Sequence, residues 1–220
     1  MKNTKEIIDK LDELFPEPKC ELDYKSTYEL LVAVILSAQC TDKRVNIVSK
    51  ELFKDYNTPE KMLQLSQEEL ENKIHSCGFY HNKTKNILSM SRDLIEKFNG
   101  QVPNDHDKLQ TLAGVGRKTA NVVYSEAFKG DAIAVDTHVL RVSNRLGLVK
   151  TEDPYKCELK LMELFDKSRW GKLHLQLVHF GRYICKAMKP NCKECPFTNI
   201  CSYYACLLYT SDAADDLTRV

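Results

Sequence analysis

Apolar residues recur along this chain at intervals of three and four, the period of an α-helix, and the two-residue alternation of a half-buried strand is nearly absent. Helix start and stop signals punctuate the periodic stretches. Thr58-Pro59-Glu60 supplies an N-cap, a proline for the first helical position and a first-turn acid. Ser66-Gln67-Glu68-Glu69 forms a capping box ahead of Leu70 and Ile74. Gly78 and Gly100 stand where helices should stop. Asp153-Pro154 opens a helix whose expected apolar face is Leu159, Met162, Leu164 and Phe165. Another is predicted from Trp170 to Cys185, with Leu173, Leu177, Phe180 and Ile184 at helical spacing. The apolar run Leu30 to Leu36 predicts a buried helix and is too short to cross a bilayer. About ten helices with short connections follow, so the fold is expected to be all-α. No repeat or low-complexity linker marks a domain boundary.

Composition changes this picture little. The 32 Lys and Arg nearly balance the 31 Asp and Glu, for a net charge of +1, so any nucleic-acid binding must come from the placement of charge. The N-terminal MKNTKEIIDKLDELF reads as an amphipathic helix containing acids, unlike a signal or transit peptide, and a cytoplasmic location is the default expectation. The 9 cysteines change it more. An odd number without a secretory signal argues against a disulfide framework. Cys20, Cys40, Cys77 and Cys157 are scattered and read as small core residues. Cys185-x6-Cys192-x2-Cys195-x5-Cys201 is a dense set, and four thiolates suit either Zn2+ or a [4Fe–4S] cluster. Structural zinc sites usually pair two short Cys units. Here one short pair lies between wider arms, a spacing that leans towards a cluster and leaves zinc open.

The stretch Leu112-Ala113-Gly114-Val115-Gly116-Arg117-Lys118-Thr119-Ala120 carries the most chemistry. Leu109 and Leu112 end a short helix, Gly114 and Gly116 bracket a tight turn, and Lys118 falls in the first turn of the next helix. The glycines let the backbone pass close to a ligand, and a helix N-terminus attracts a phosphate. Such contacts position a protein on DNA without reading bases. Alone, the turn is equally an ordinary corner between helices. Downstream, Ala134-Val135-Asp136-Thr137-His138-Val139 places Asp136 as an N-cap for the following helix. An N-cap carboxylate is held rigidly and kept ionised, which also suits a catalytic acid group.

LAGVGRKTA (112–120), AVDTHVLRVSNRLGL (134–148) and the four-cysteine pattern, supported by LLVAVILSAQCTD (30–42) and GFYHNKTKNI (78–87), resemble the endonuclease III family of helix–hairpin–helix DNA glycosylases over essentially residues 1–204. The resemblance implies two all-α lobes with a DNA-binding groove between them. Residues 22–132 would form a six-helix barrel ending in the hairpin. Residues 1–21 and 133–204 would form the lobe of a [4Fe–4S] cluster held by Cys185, Cys192, Cys195 and Cys201. It implies a monomer acting on damaged double-stranded DNA, associated with the nucleoid and not with a membrane. It also implies a bifunctional glycosylase and abasic-site lyase for oxidised pyrimidines. In the family the residue matching Lys118 attacks C1′, a Schiff base forms, and β-elimination breaks the strand. The residue matching Asp136 stabilises the positive sugar. An ordinary lysine offers little free amine at neutral pH; Arg117 beside Lys118 and the helix N-terminus both disfavour a second positive charge there.

The same resemblance implies further DNA contacts. Gln39 and Phe79 match residues that fill the gap left by an extruded base. Phe79 is larger than the aliphatic residue expected there and reads equally as a core aromatic. Lys83 and Lys85 follow it and are candidates for phosphate contacts. Gly114, Gly116 and Arg117 belong to the hairpin's DNA contacts, and Lys186 and Lys189 to a basic loop between the first two cysteines, with Lys193 just beyond. Three rivals remain at the level of sequence. A mismatch adenine glycosylase shares the cysteines but generally lacks a lysine at the hairpin and carries a glutamate on the early helix, where this chain reads Leu36-Ser37-Ala38-Gln39. The other two are a non-catalytic hairpin module and a zinc-stabilised structural protein. The final ACLLYTSDAADDLTRV (205–220) has no helical logic. It reads as an appended, artefactual segment or else as a disordered tail, and carries no assigned function.

Overall fold

The described residues, 4–206, of the computed structural model hold eleven α-helices, a further helical stretch over 202–206 and no strand. Of the doubtful tail, Ala205 and Cys206 continue a helical stretch from Ser202, contrary to the expectation of no helix there, and positions 207–220 lie outside the described residues. The chain divides into two compact units: Cys20–Ala132, and Met1–Lys19 together with Ile133–Val220. No helix among the described residues is long and apolar enough to cross a membrane.

The Cys20–Ala132 unit holds α2 (Thr27–Ser37), α3 (Asp42–Leu52), α4 (Pro59–Met62), α5 (Gln67–Ile74), α6 (Tyr80–Phe98), α7 (His106–Gln110) and α8 (Arg117–Phe128). At its centre is α2, buried from Tyr28 to Leu36 and packed against α3, α6 and α8. That burial on all sides explains why its sequence is apolar without periodicity. Local chemistry sets the helix starts. Ser26, Thr41 and Thr58 each accept a first-turn amide, Ser66 and Glu69 complete the expected capping box, and Asp105 accepts from Asp107 and Lys108. Gly78 follows a 3-10 turn, His75–Cys77. Asn99, in the left-handed conformation at φ 52°, is the C-cap of α6, one residue before the expected glycine.

The other unit holds α1 (Thr4–Leu14), α9 (Thr137–Arg145), α10 (Pro154–Leu164) and α11 (Trp170–Tyr183). Here α11 packs against both α9 and α1. Its Leu173, Leu177 and Phe180 meet Ile7 and Leu11 of α1 and Val139 and Val142 of α9 in one core. Phe180 meets Phe197 edge-on, with ring centroids 5.1 Å apart. Gln176 Nε2 donates to Leu11 O at 3.1 Å, Phe15 O at 3.0 Å and Asp12 Oδ1 at 2.9 Å, closing the C-terminal end of α1. Two expectations shift in register. Of the face expected on α10, Phe165 is buried and Met162 and Leu164 pack against the same core, but Leu159 is exposed, and Cys157, Glu158 and Leu161 are the residues buried within the helix. And α11 ends at Tyr183 rather than Cys185, because the amides of Ile184 and Cys185 both turn back to Phe180 O.

Candidate functional site: hairpin, capped aspartate and cysteine cavity

The hairpin of the Cys20–Ala132 unit is pinned from beneath. Leu109, Leu112 and Val115 are buried in its core, and the amides of Leu112 and Val115 bond back to Leu109 O and Leu112 O. Gly114 has φ +77°, and a Cβ there would meet the Asn86 side chain at 2.8 Å, so backbone and neighbour both demand glycine. Gly116 is extended and caps α8 with no side-chain hydrogen bond, and nothing lies within 4 Å of a Cβ built on it. Arg117 and Lys118 follow, both exposed on the first turn. His106 Nε2 meets Asn121 Oδ1 at 2.6 Å and ties α7 to α8. The result is a helix N-terminus without a side-chain cap, approachable at its glycine and flanked by two cationic side chains. That arrangement suits a phosphate and leaves a primary amine beside it.

Asp136 sits in the other unit, after the buried strip Ile133–Val135. It is the N-cap of α9, half-buried, with Oδ1 accepting the Val139 amide at 2.8 Å. The expected cap is therefore present and its carboxylate is fixed in direction. One turn on, Arg141 donates from Nε to Cys185 O at 3.1 Å and from Nη2 to Gly181 O at 2.8 Å. Burial lowers the Arg141 pKa, with the charges of Cys185 and Asp136 among the opposing influences. A Cβ on Gly181 would come within 2.8 Å of His138 Cβ, so this glycine lets α9 and α11 approach closely.

Cys185, Cys192, Cys195 and Cys201 line a single cavity, together with Leu146, Phe180, Ile184, Pro190, Tyr203 and Tyr204. Cys185 Sγ accepts from Arg145 Nη1 and Cys201 Sγ from the Tyr204 amide, each at 3.4 Å, and Cys195 Sγ accepts from the Phe197 amide. Burial and the neighbouring sulfurs raise the Cys192 pKa. Burial also raises that of Cys195, with the Phe197 amide opposing and the other sulfurs adding to the rise. Among the described residues, no group of three or more His, Cys, Asp or Glu side chains is arranged to hold a single metal ion. Arg145 also donates to Lys186 O at 2.7 Å and Ala187 O at 3.0 Å, and its guanidinium lies over the Tyr203 ring at 4.1 Å. Lys186, Lys189 and Lys193 are exposed, and Lys189 adopts φ 49°. Nothing in the sequence singled out Arg141 or Arg145; only the side-chain contacts reveal them.

Gln39 and Phe79 are both exposed, and both adopt the left-handed backbone, at φ 53° and 48°. Phe79 is 66% exposed, which removes its reading as a core aromatic. Lys83 requires a correction. It is 4% exposed, its ammonium donating to Leu36 O at 2.9 Å and Cys77 O at 2.5 Å, so it is not placed to meet a phosphate. Burial lowers its pKa, with the sulfurs of Cys77 and Cys40 opposing. Lys85 is exposed.

Residues 32–167 match the HhH-GPD superfamily of base excision DNA repair proteins. Endonuclease III of Bacillus subtilis (strain 168) is 50% identical over 205 residues, covering 91% of this chain and 94% of its own. The protein in a solved non-covalent endonuclease III–DNA complex is 46% identical with a TM-score of 0.90, covering 94% of this chain and 97% of its own. That in a trapped endonuclease III–DNA covalent intermediate is also 46% identical, with a TM-score of 0.91, covering 94% and 99%.

Proposed function

Since this chain belongs to the endonuclease III family, within the HhH-GPD superfamily of base excision DNA repair proteins, we propose that it is a bifunctional DNA glycosylase and abasic-site lyase that releases damaged, chiefly oxidised, pyrimidines from duplex DNA. The observation that carries this reading is the exposed Lys118 amine on the first turn of α8, immediately after the open Gly116 cap. A phosphate seated on that N-terminus brings a DNA backbone beside a nucleophile.

In this reading the neutral Lys118 amine attacks C1′ and the damaged base departs with the glycosidic electron pair. The resulting carbinolamine-like adduct opens to an iminium joining lysine and sugar. Loss of a C2′ proton then expels the 3′ phosphate by β-elimination, and water releases the lysine. Asp136 offsets the positive charge that develops on the sugar, a task suited to a carboxylate already fixed by the Val139 amide. Gln39 and Phe79 fill the stack vacated by the extruded nucleotide.

Cys185, Cys192, Cys195 and Cys201 would hold a [4Fe–4S] cluster. The all-sulfur donor set around one cavity suits it, and the single short Cys pair between wider arms leans the same way. When bound, the cluster supplies a rigid anchor for the Lys186–Lys189 loop. Purification without oxygen should yield iron and acid-labile sulfide with broad visible absorbance; colourless protein with stoichiometric zinc would refute the cluster.

Borohydride reduction tests the central claim. Wild-type protein should be trapped covalently on a duplex containing an abasic site, and Lys118→Gln should not. Equal trapping by both would remove Lys118 as the nucleophile. Duplexes carrying thymine glycol, mismatched uracil or adenine opposite 8-oxoguanine, with base release and strand cleavage scored separately, identify the preferred lesion. Preference for adenine opposite 8-oxoguanine would favour the mismatch-glycosylase rival.

A further inference from the structure

Two exposed side chains of the Cys20–Ala132 unit, Gln39 and Phe79, stand on backbone that non-glycine residues rarely adopt. They belong to different turns, one after α2 and one after the 3-10 segment His75–Cys77. The turns lie side by side: a Cβ built on Gly78 would be 4.0 Å from Gln39 O. No side-chain cap stabilises the Phe79 turn at the start of α6. The Cys40 and Cys77 side chains hydrogen-bond across the two turns, and Lys83 adds a charged link between their backbones. Its stem is buried and its ammonium bridges Leu36 O, near the end of α2, and Cys77 O, at the end of the 3-10 turn. Both acceptors lie at carbonyl ends of helical segments, where a cation is favoured.

We propose that Lys83 is a positioning residue for the reaction, holding the turns of Gln39 and Phe79 together so that both side chains enter the DNA stack in one register. The proposal rests on the glycosylase reading above. Lys83 touches neither substrate nor reacting atoms; it acts through the two turns. A neutral side chain of similar length leaves both carbonyls without their shared donor, and the turns keep only the weak thiol link between Cys40 and Cys77.

The test compares two single-turnover rates on one preparation. One is cleavage of a thymine-glycol duplex, where a base must be extruded and the gap filled. The other is cleavage of an abasic site in a single strand, where no stack is opened. Any loss of folded protein cancels in the ratio. Lys83→Met should lower the duplex-to-single-strand ratio by roughly ten- to hundredfold, the scale expected of a small misplacement. Lys83→Gln, which keeps a shorter donor, should fall between. In a Gln39→Ala, Phe79→Ala background, Lys83→Met should change the ratio no further. A ratio within about twofold of wild type for Lys83→Met, or an undiminished effect in the double-alanine background, overturns the proposal. A wild-type protein that cleaves neither substrate overturns the glycosylase reading, and this inference with it. A wild-type protein that cleaves both, with an unchanged ratio in the variant, overturns this inference alone.

Discussion

At Asp136 one carboxylate closes the first turn of α9 by accepting the Val139 amide, and the same carboxylate is assigned to the developing sugar cation. Two substitutions separate these roles. Asparagine keeps an acceptor for the amide and removes the charge; alanine removes both. Asp136→Asn should melt close to wild type yet lose lyase activity on abasic DNA. Asp136→Ala should lose the activity and about 1 kcal/mol of stability as well. Thermal melts beside single-turnover assays decide it. An active Asp136→Asn would show that the residue is a cap and nothing more. Lys118 has the opposite character, being exposed on an open turn, so its replacement should leave the melt unchanged.

Between elements, Arg145 joins the last turn of α9 to the loop after Cys185 through two carbonyls, a sulfur and the Tyr203 ring. Arg145→Ala should cost about 2–3 kcal/mol and hasten loss of visible absorbance in air, followed by calorimetry and spectroscopy. The loop it holds presents Lys186 and Lys189. If these meet phosphates, changing both to alanine should reduce the slope of log affinity against log salt by roughly 2; an unchanged slope would leave them as solubilising charges. Helix starts were legible in the sequence because a capping oxygen sits beside the amide it accepts, as at Thr58, Ser66 and Asp153. The hairpin was legible because Gly114 answers a backbone demand. Lys83 was not, since a lysine in HNKTKN looks solvated and its acceptors lie 47 and 6 residues away. Nor was the left-handed backbone at Gln39 and Phe79, because no glycine occupies those positions.

Across the whole molecule, the unit containing Asp136 and the cysteines is built from segments on both sides of Cys20–Ala132. Asp12 of α1 joins those segments, accepting from Arg169 Nη2 at 2.9 Å and Lys172 Nζ at 2.6 Å. Burial opposes ionisation, but hydrogen bonds from Arg169, Lys172 and Gln176 outweigh it and hold the carboxyl well below its usual range. A depressed folded pKa contributes stability above the unfolded value of about 3.9, and that contribution fades as pH falls towards the folded one. Asp12→Asn should therefore be less stable than wild type near neutrality, with the gap closing below about pH 4. Melts across that range measure it; a constant gap would mean that the carboxylate's charge contributes nothing.

The join between α1 and α11 also has a schedule. Gln176 reaches Leu11 across 165 positions, so α1 emerges from the ribosome long before the helix that covers it. At bacterial-type elongation rates that wait is on the order of ten seconds. Cys20–Ala132 has by then left the exit tunnel with its own core, while Ile7 and Leu11 still lack theirs. Made long before α11, α1 is among the last helices to be buried, and over that interval its apolar stripe is the segment a nascent-chain chaperone would find.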